Sequence, residues 1–290
     1  MFPTLFNSLD PSGFQCDECI MAKHHWVSYP ISSKFSSQPF NLIHSDIWGP
    51  SKIANHYGAK WFISFIDDCT HMCWVFLLKD KTAIGSVLPS FCKMIYTQFG
   101  TPIKKFRTDN ARDYFNNHLH QSFQQEGIIH ESSCIDTPQQ NGVAERKMRH
   151  LLNVTQPLLH HHHAPKKFWR EAVLTATYVI NRVPSRMLQN RSPFQQLASF
   201  FPDLTLHSPL PLRRVFGCVC FVHIPKVHRD KLDPRALIYV FLGYSLTQKG
   251  YKCYYPTIEN SMSQKMSFLE NQSFFNFLSS LQQENSLKTC

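Results

Sequence analysis

The chain has 290 residues, 43% of them hydrophobic, with a formal net charge of +10 and a pI near 9.1. That length and apolar content bury a full core and exclude a disordered chain, while the positive balance calls for an anionic partner, nucleic acid first, with ribosome-like or membrane-surface partners open on charge alone. An apolar run of about 18 residues is absent, and the opening MFPTLFNSLDPSGFQ lacks a basic-then-apolar leader, so a soluble, intracellular protein with no membrane partner is expected.

Residues 1–37 read as a stub and linker. Cys16 and Cys19 have the C-x-x-C spacing of half a zinc site, with His24 and His25 close behind them. The Ser-rich run SSKFSSQPF has the composition of a boundary. The ten cysteines are scattered, unlike a secreted disulfide framework. Cys69, Cys73, Cys92, Cys134, Cys218, Cys220 and Cys253 mostly fall in or beside apolar patterns, as small buried hydrophobes do.

Residues 38–200 carry the signals of one α/β core. In NLIHSDIWGP, Phe40, Leu42, Ile43 and Ile47 mark a strand that contains Asp46 and opens into the Gly49-Pro50 turn. WFISFIDDCTHMCWVFLLKD predicts a hairpin pairing with that strand, its Asp67 and Asp68 being turn residues rather than ligands. KTAIGSVLPSFCKMIYTQFG has helical spacing at Ile84, Val87, Leu88, Phe91, Ile95 and Phe99, with Pro89 expected to kink or interrupt it. IKKFRTDN is a short strand ending at Asp109. In TPQQNGVAERKMRHLL, Asn141 can cap a helix whose Val143, Met148, Leu151 and Leu152 follow helical spacing, which places Glu145 in its first turns and leaves Pro157 to bend it. The predicted order β-β-β-α-β-α-β-α suits a mixed sheet flanked by helices.

Asp46, Asp109 and Glu145 are the acidic residues whose contexts converge. Magnesium is a hard cation that takes oxygen ligands and keeps several waters, and three carboxylates allow two ions. Two metals about 3.5–4 Å apart activate the attacking oxygen and stabilise the leaving oxygen of an in-line phosphoryl transfer. An isolated Asp is more often a cap, and an isolated Glu a solvated charge. Beside Glu145 run Arg146, Lys147 and Arg149, then Lys166, Lys167 and Arg170, a stripe suited to DNA phosphates. Such a face is usually solvated surface, and its adjacency to the carboxylates reverses that weighting. Gln139, Gln140 and Asn141 in the loop SSCIDTPQQNG are candidate DNA contacts, which loop solvation and capping explain equally well.

Residues 205–262 hold three β-like runs, VFGCVCFVHI, LIYVFLGYS and GYKCYYP, and predict a small β-rich domain, with residues 263–290 as a tail. Its Lys226, Arg229, Lys231 and Arg235 could meet nucleic acid, and its tyrosines are expected in the core.

The chain resembles the integrase of copia-type LTR retrotransposons, plant elements most of all. The motifs are HSDIWGP, FIDD, RTDN and TPQQNGVAERK, and the likeness continues through PKKFWREAVLTATYVINRVPSRML and VFGCVCFVHIPKVHRDKLDPRALIYVFLGYSLTQKGYKCYYP. The resemblance implies a ribonuclease-H-like retroviral-integrase core with Asp46, Asp109 and Glu145 as catalytic triad and ligands of Mg2+ or Mn2+, two ions in all. It implies 3'-end processing and strand transfer with double-stranded DNA, element ends and target, by a homo-oligomer in the nucleus. The family's His-His-Cys-Cys module is amputated here, so Cys16 and Cys19 are read as a vestigial zinc pair with no zinc expected, and the chain as a polyprotein fragment. The family's usual Asn-Gly-Gly-Glu is replaced by Asn110-Ala111-Arg112-Asp113, and Pro157 and the run His160 to His163 also depart from the pattern. The alternatives are a catalytically decayed or domesticated DNA-binding remnant and a ribonuclease-H-like nuclease that only cuts.

Overall fold

The computed structural model describes residues 21–22, 35–54, 58–109, 114, 117–134, 138–202, 214–224, 226–245, 250–255, 258–263 and 266–276. The chain divides into two compact units, Met1–Phe35 and Ser36–Cys290, and both sheets belong to the second. Cys16, Cys19 and the stretch Asn110 to Asp113 lie outside the described residues.

The first sheet comprises β1 (Ile43–Trp48), β2 (Trp61–Asp67), β3 (Cys73–Leu78), β4 (Lys105–Thr108) and β5 (Ile129–Ser132), in the order β3-β2-β1-β4-β5. β1, β2 and β3 form the antiparallel meander read from the sequence. β4 and β5 join parallel to β1, a geometry that requires crossovers. Helices α1 (Ile84–Phe99) and α2 (Asn117–Gln125) are those crossovers. They are followed by α3 (Gly142–His161), α4 (Trp169–Ile180) and α5 (Pro193–Phe200).

Strand alternation divides the core into two layers. Ile43, Phe65 and Phe106 meet Leu88, Phe91 and Ile95 of α1 and Leu119 and Phe123 of α2 on one face, with Phe65 and Phe91 stacked at 4.2 Å. On the other, Phe62, Ile66 and Cys73 meet Ala144, Met148 and Leu151 of α3 and Trp169 and Val173 of α4.

Pro89 and Pro157 lie inside α1 and α3 without interrupting either helix. α1 buries apolar residues on both sides of Pro89, and α3 buries Ala144, Met148 and Leu151 before Pro157 and packs Leu158 and Leu159 after it; several buried side chains at about 1.5–3 kcal/mol each outweigh a proline cost of about 3 kcal/mol. Asp67 and Asp68 do hold the turn, but as buried acceptors. Asp67 takes the N–H groups of Phe40 and Thr70 and the Thr70 hydroxyl, while Asp68 takes the Ser36 N–H and pairs with His44 Nε2 at 2.9 Å.

The second sheet comprises β6 (Cys218–His223), β7 (Ala236–Tyr244), β8 (Tyr251–Tyr255), β9 (Ile258–Ser263) and β10 (Met266–Ser273), all antiparallel in the order β10-β6-β7-β8-β9. β6, β7 and β8 are the three runs read from the sequence. β10 lies in the stretch assigned there to a tail, and it returns to pair with β6. Of the seven cysteines named above, six are buried and Cys134 is exposed.

This sheet seats directly on α4. Ala164, Phe168 and Ala172 share one apolar cluster with Phe216, Val219, Val240, Leu242 and Phe274. Tyr178 stacks on Tyr244 at 4.0 Å, Thr175 Oγ1 donates to the Leu242 carbonyl, and Lys252 Nζ pairs with Glu171 Oε1 at 3.0 Å. Backbones approach so closely that Gly243, at φ +127, would place an added Cβ 2.3 Å from Thr175 Oγ1. Gly217, at φ +83, meets the Cβ of the buried His162 in the same way, so part of the histidine run serves packing. Gly243→Ala is expected to destabilise the protein by about 1–3 kcal/mol through strain and overlap, read as a lower urea midpoint. An unchanged midpoint would show that the seat is loose.

Candidate active site

The β1–β4 register positions the first two carboxylates. Ile43 pairs with Phe106 and His44 with Arg107 in parallel, so continuing the register past the end of β4 sets Asp46 beside Asp109. Neighbouring strands run about 4.8 Å apart, and paired residues of a parallel ladder face the same side. That side is the one covered by α3, because Trp48 and its β2 partner Phe62, two residues from Asp46, pack with α3 and α4. Asp46 itself opposes the small Ser64, whose hydroxyl donates to the Asp46 carbonyl at 3.4 Å.

Glu145 comes from the first turn of α3, on its exposed side. The helix start is anchored by Asn141, whose Nδ2 donates to the Ser45 carbonyl of β1 at 3.4 Å. This replaces the predicted cap: Asn141 stands at the N-cap position but its side chain makes no cap bond.

The charges of Asp109 and Glu145 both act on Asp46. Burial, above all, lifts the Asp46 carboxyl from 3.8 to about 6, opposed by the Ile47 N–H bound to Oδ1 at 2.8 Å and reinforced by the negative charges of Asp109 and Glu145. A hard divalent cation relieves that repulsion with the oxygen donors it prefers, so the donor set fits such an ion. Among the described residues no three acidic, histidine or cysteine side chains close into a finished cage.

The candidate DNA contacts separate by exposure. Arg146, Arg149, Lys166 and Lys167 are exposed, with Lys167 Nζ 5.3 Å from the Phe168 ring. Lys147 is turned inward, its Nζ donating to the His71 carbonyl at 3.1 Å, and burial holds its pKa below the usual lysine value. Lys147 therefore ties α3 to the β2–β3 turn. Asn141 is 1% exposed and has no surface to offer DNA. Gln140 is exposed, yet its Oε1 accepts the Cys134 N–H at 3.0 Å and shapes the loop. The Gln139 side chain lies outside the described residues. Helical phase explains these differences: a charge run on α3 must rotate through the buried face every few residues. Lys105 and Arg107 stand outside the set predicted from sequence, although their period-two spacing to Asp109 signals a shared face.

Sequence comparison agrees with this architecture. Residues 36–138 match the integrase core domain family, a span containing Asp46 and Asp109, and residues 218–282 match the retroviral polymerase SH3-like domain. The chain thus carries an integrase core of the polynucleotidyl transferase superfamily, followed by an SH3-like domain. Its homologues are plant retrovirus-related Pol polyproteins from transposons. It is 36% identical over 241 residues to that from transposon TNT 1-94 of Nicotiana tabacum, covering 83% of this chain and 18% of the relative. The corresponding polyproteins from transposons RE1 and RE2 of Arabidopsis thaliana are 35% identical over 277 residues (94% and 18%) and 34% identical over 253 residues (84% and 16%). The chain spans less than a fifth of the length of these relatives, matching at most 18% of each.

The raised Asp46 carboxyl has a definite pH signature. Its charged form costs stability, a cost absent below the unfolded value of 3.8 and complete above about 6. Without divalent ions, Asp46→Asn is expected to stabilise the protein by up to about 3 kcal/mol at pH 7.5, the gain shrinking as pH falls from 6 toward 4. Urea midpoints across that range measure it, and a pH-independent gain would contradict the assignment.

Proposed function

We propose that this chain is a retrotransposon integrase segment that processes DNA 3' ends and transfers them into target DNA. The observation that carries the reading is the parallel register setting Asp46 beside Asp109, with Glu145 close enough for its charge to act on Asp46. Asp46, Asp109 and Glu145 would hold Mg2+ or Mn2+, which when bound supplies Lewis-acid stabilisation and an activated attacking oxygen. The chain's own side chains orient the rest. Arg146 and Arg149 project from the helix that carries Glu145, and Lys166 and Lys167 precede α4, all placed to take phosphates without reading base sequence. Buried Asn141 and Lys147 keep that helix start in place against β1 and the β2–β3 turn.

Double-stranded DNA, both element ends and target, is the proposed substrate, and the nucleus the site of action. Joining two ends to one target calls for more than one active site, hence a homo-oligomer.

A strand-transfer assay with labelled LTR-end oligonucleotides and plasmid, in magnesium and in manganese, tests the proposal. Metal-dependent joined product is expected, falling to background in Asp109→Asn. Cutting without joining would identify a nuclease, and DNA binding by a folded chain without either would identify a DNA-binding remnant.

A further inference from the structure

α3 and α4 cover β1, β2 and β3, and beyond them the same face of the sheet continues over β4 and β5. There the structure holds a concavity of about 320 Å³, lined by Asn41, Leu42, Lys104, Lys105, Arg107 and Glu131 among others. Arg107 pairs in register with Glu131 across the parallel β4–β5 ladder. Glu131 accepts from Arg107 Nη2 at 2.6 Å and Nε at 3.1 Å, and from Lys105 Nζ at 3.0 Å. These bonds hold Glu131 ionised below its usual range, against the opposing effect of burial.

A cross-strand ladder of this kind normally contributes only about 0.2–1 kcal/mol to a sheet. The charge count here goes further. Three cations line the concavity against one carboxylate, and among the described residues Lys104 has no acidic partner. The Lys104 backbone is fixed, its N–H donating to the Phe40 carbonyl and its carbonyl accepting from Ile129. Lys105 and Arg107 side chains remain 45% and 35% exposed, so they reach solvent while paired.

Their placement relative to the carboxylates is the decisive point. Lys105, Arg107 and Asp109 recur at every second residue along one strand line and share one face, with Arg107 about 7 Å and Lys105 about 13 Å before Asp109. Duplex DNA carries one phosphate per about 3.4 Å of axis on each strand, so this row spans about four nucleotides.

We propose that the Lys104–Lys105–Arg107 concavity is a phosphate-binding subsite for the DNA strand leaving the carboxylate site along β4. Glu131 holds the two strand cations in position until phosphate oxygens share them. The subsite rests on the integrase reading above and adds contacts outside the α3 and α4 stripe.

The test is duplex DNA binding by the full chain, measured across a salt series for the wild type, Lys105→Ala/Arg107→Ala, Glu131→Gln and Lys93→Ala. Lys93 is exposed on α1, the helix covering the opposite face. Each lost phosphate contact lowers the slope of log K against log salt by about 0.9, so the double variant is expected to lose about 2 from the slope. Glu131→Gln is expected to bind more tightly than wild type, and Lys93→Ala to match it. Thermal melts establish that each variant is folded. Wild-type binding with an unaltered slope in the double variant, or weaker binding by a folded Glu131→Gln, overturns the subsite alone. No salt-dependent DNA binding by the wild type overturns the integrase reading with it.

Discussion

The parallel pairing of β4 with β1 is the constraint on which the rest of the molecule depends. A parallel neighbour cannot be reached by a tight turn, so the chain leaves the antiparallel meander at β3, crosses through α1 and returns beside β1. The crossover determines which strand end meets which. Because β1 and β4 run the same way in a set register, two carboxylates more than sixty residues apart in sequence become lateral neighbours. A one-residue slip would turn one of them to the opposite face. Register here is protected by burial on both faces, with Ile43 and Phe106 in one layer and the residues around Ile66 in the other.

That placement is electrostatically unfavourable for the polypeptide alone. Burial first, and then the charges of Asp109 and Glu145, raise the Asp46 carboxyl, and the surrounding framework holds the arrangement in spite of this. Asn141 bound to the Ser45 carbonyl and Lys147 bound to the His71 carbonyl fasten α3 from two sides. The polar groups that do this are interior groups, while Arg146, Arg149, Lys166 and Lys167 face solvent.

Much of this architecture was readable from residues. Apolar runs bounded by turn residues located β1, the β2–β3 hairpin and β6 to β8, because strands buried on both faces read as nearly continuous apolar stretches. The α1 pattern at Ile84, Leu88, Phe91 and Ile95 did the same at helical period. Less readable were features set by partners distant in sequence. The burial of Lys147 depends on where His71 lies, and the role of Asn141 depends on where the Ser45 carbonyl of β1 lies. β10 is short of apolar alternation and exists through its pairing with β6. Helices continued through Pro89 and Pro157 because tertiary burial, invisible to local rules, outweighed the local penalty.

The close seat of the second sheet on α4 makes the integrase core and the SH3-like domain separate in family terms and continuous in solvation terms. Phe168 and Ala172 on the helix side, and Phe216, Val240 and Leu242 on the sheet side, share one dry interior. Cutting the chain between them would wet both halves. Glu171 would lose its closest cation, Lys252, and Tyr178 would lose the ring it lies against. The region after residue 214 thus behaves as the outer wall of the core as well as a module appended to it. A chain that shed this segment would lose the integrity of its integrase core along with the segment itself.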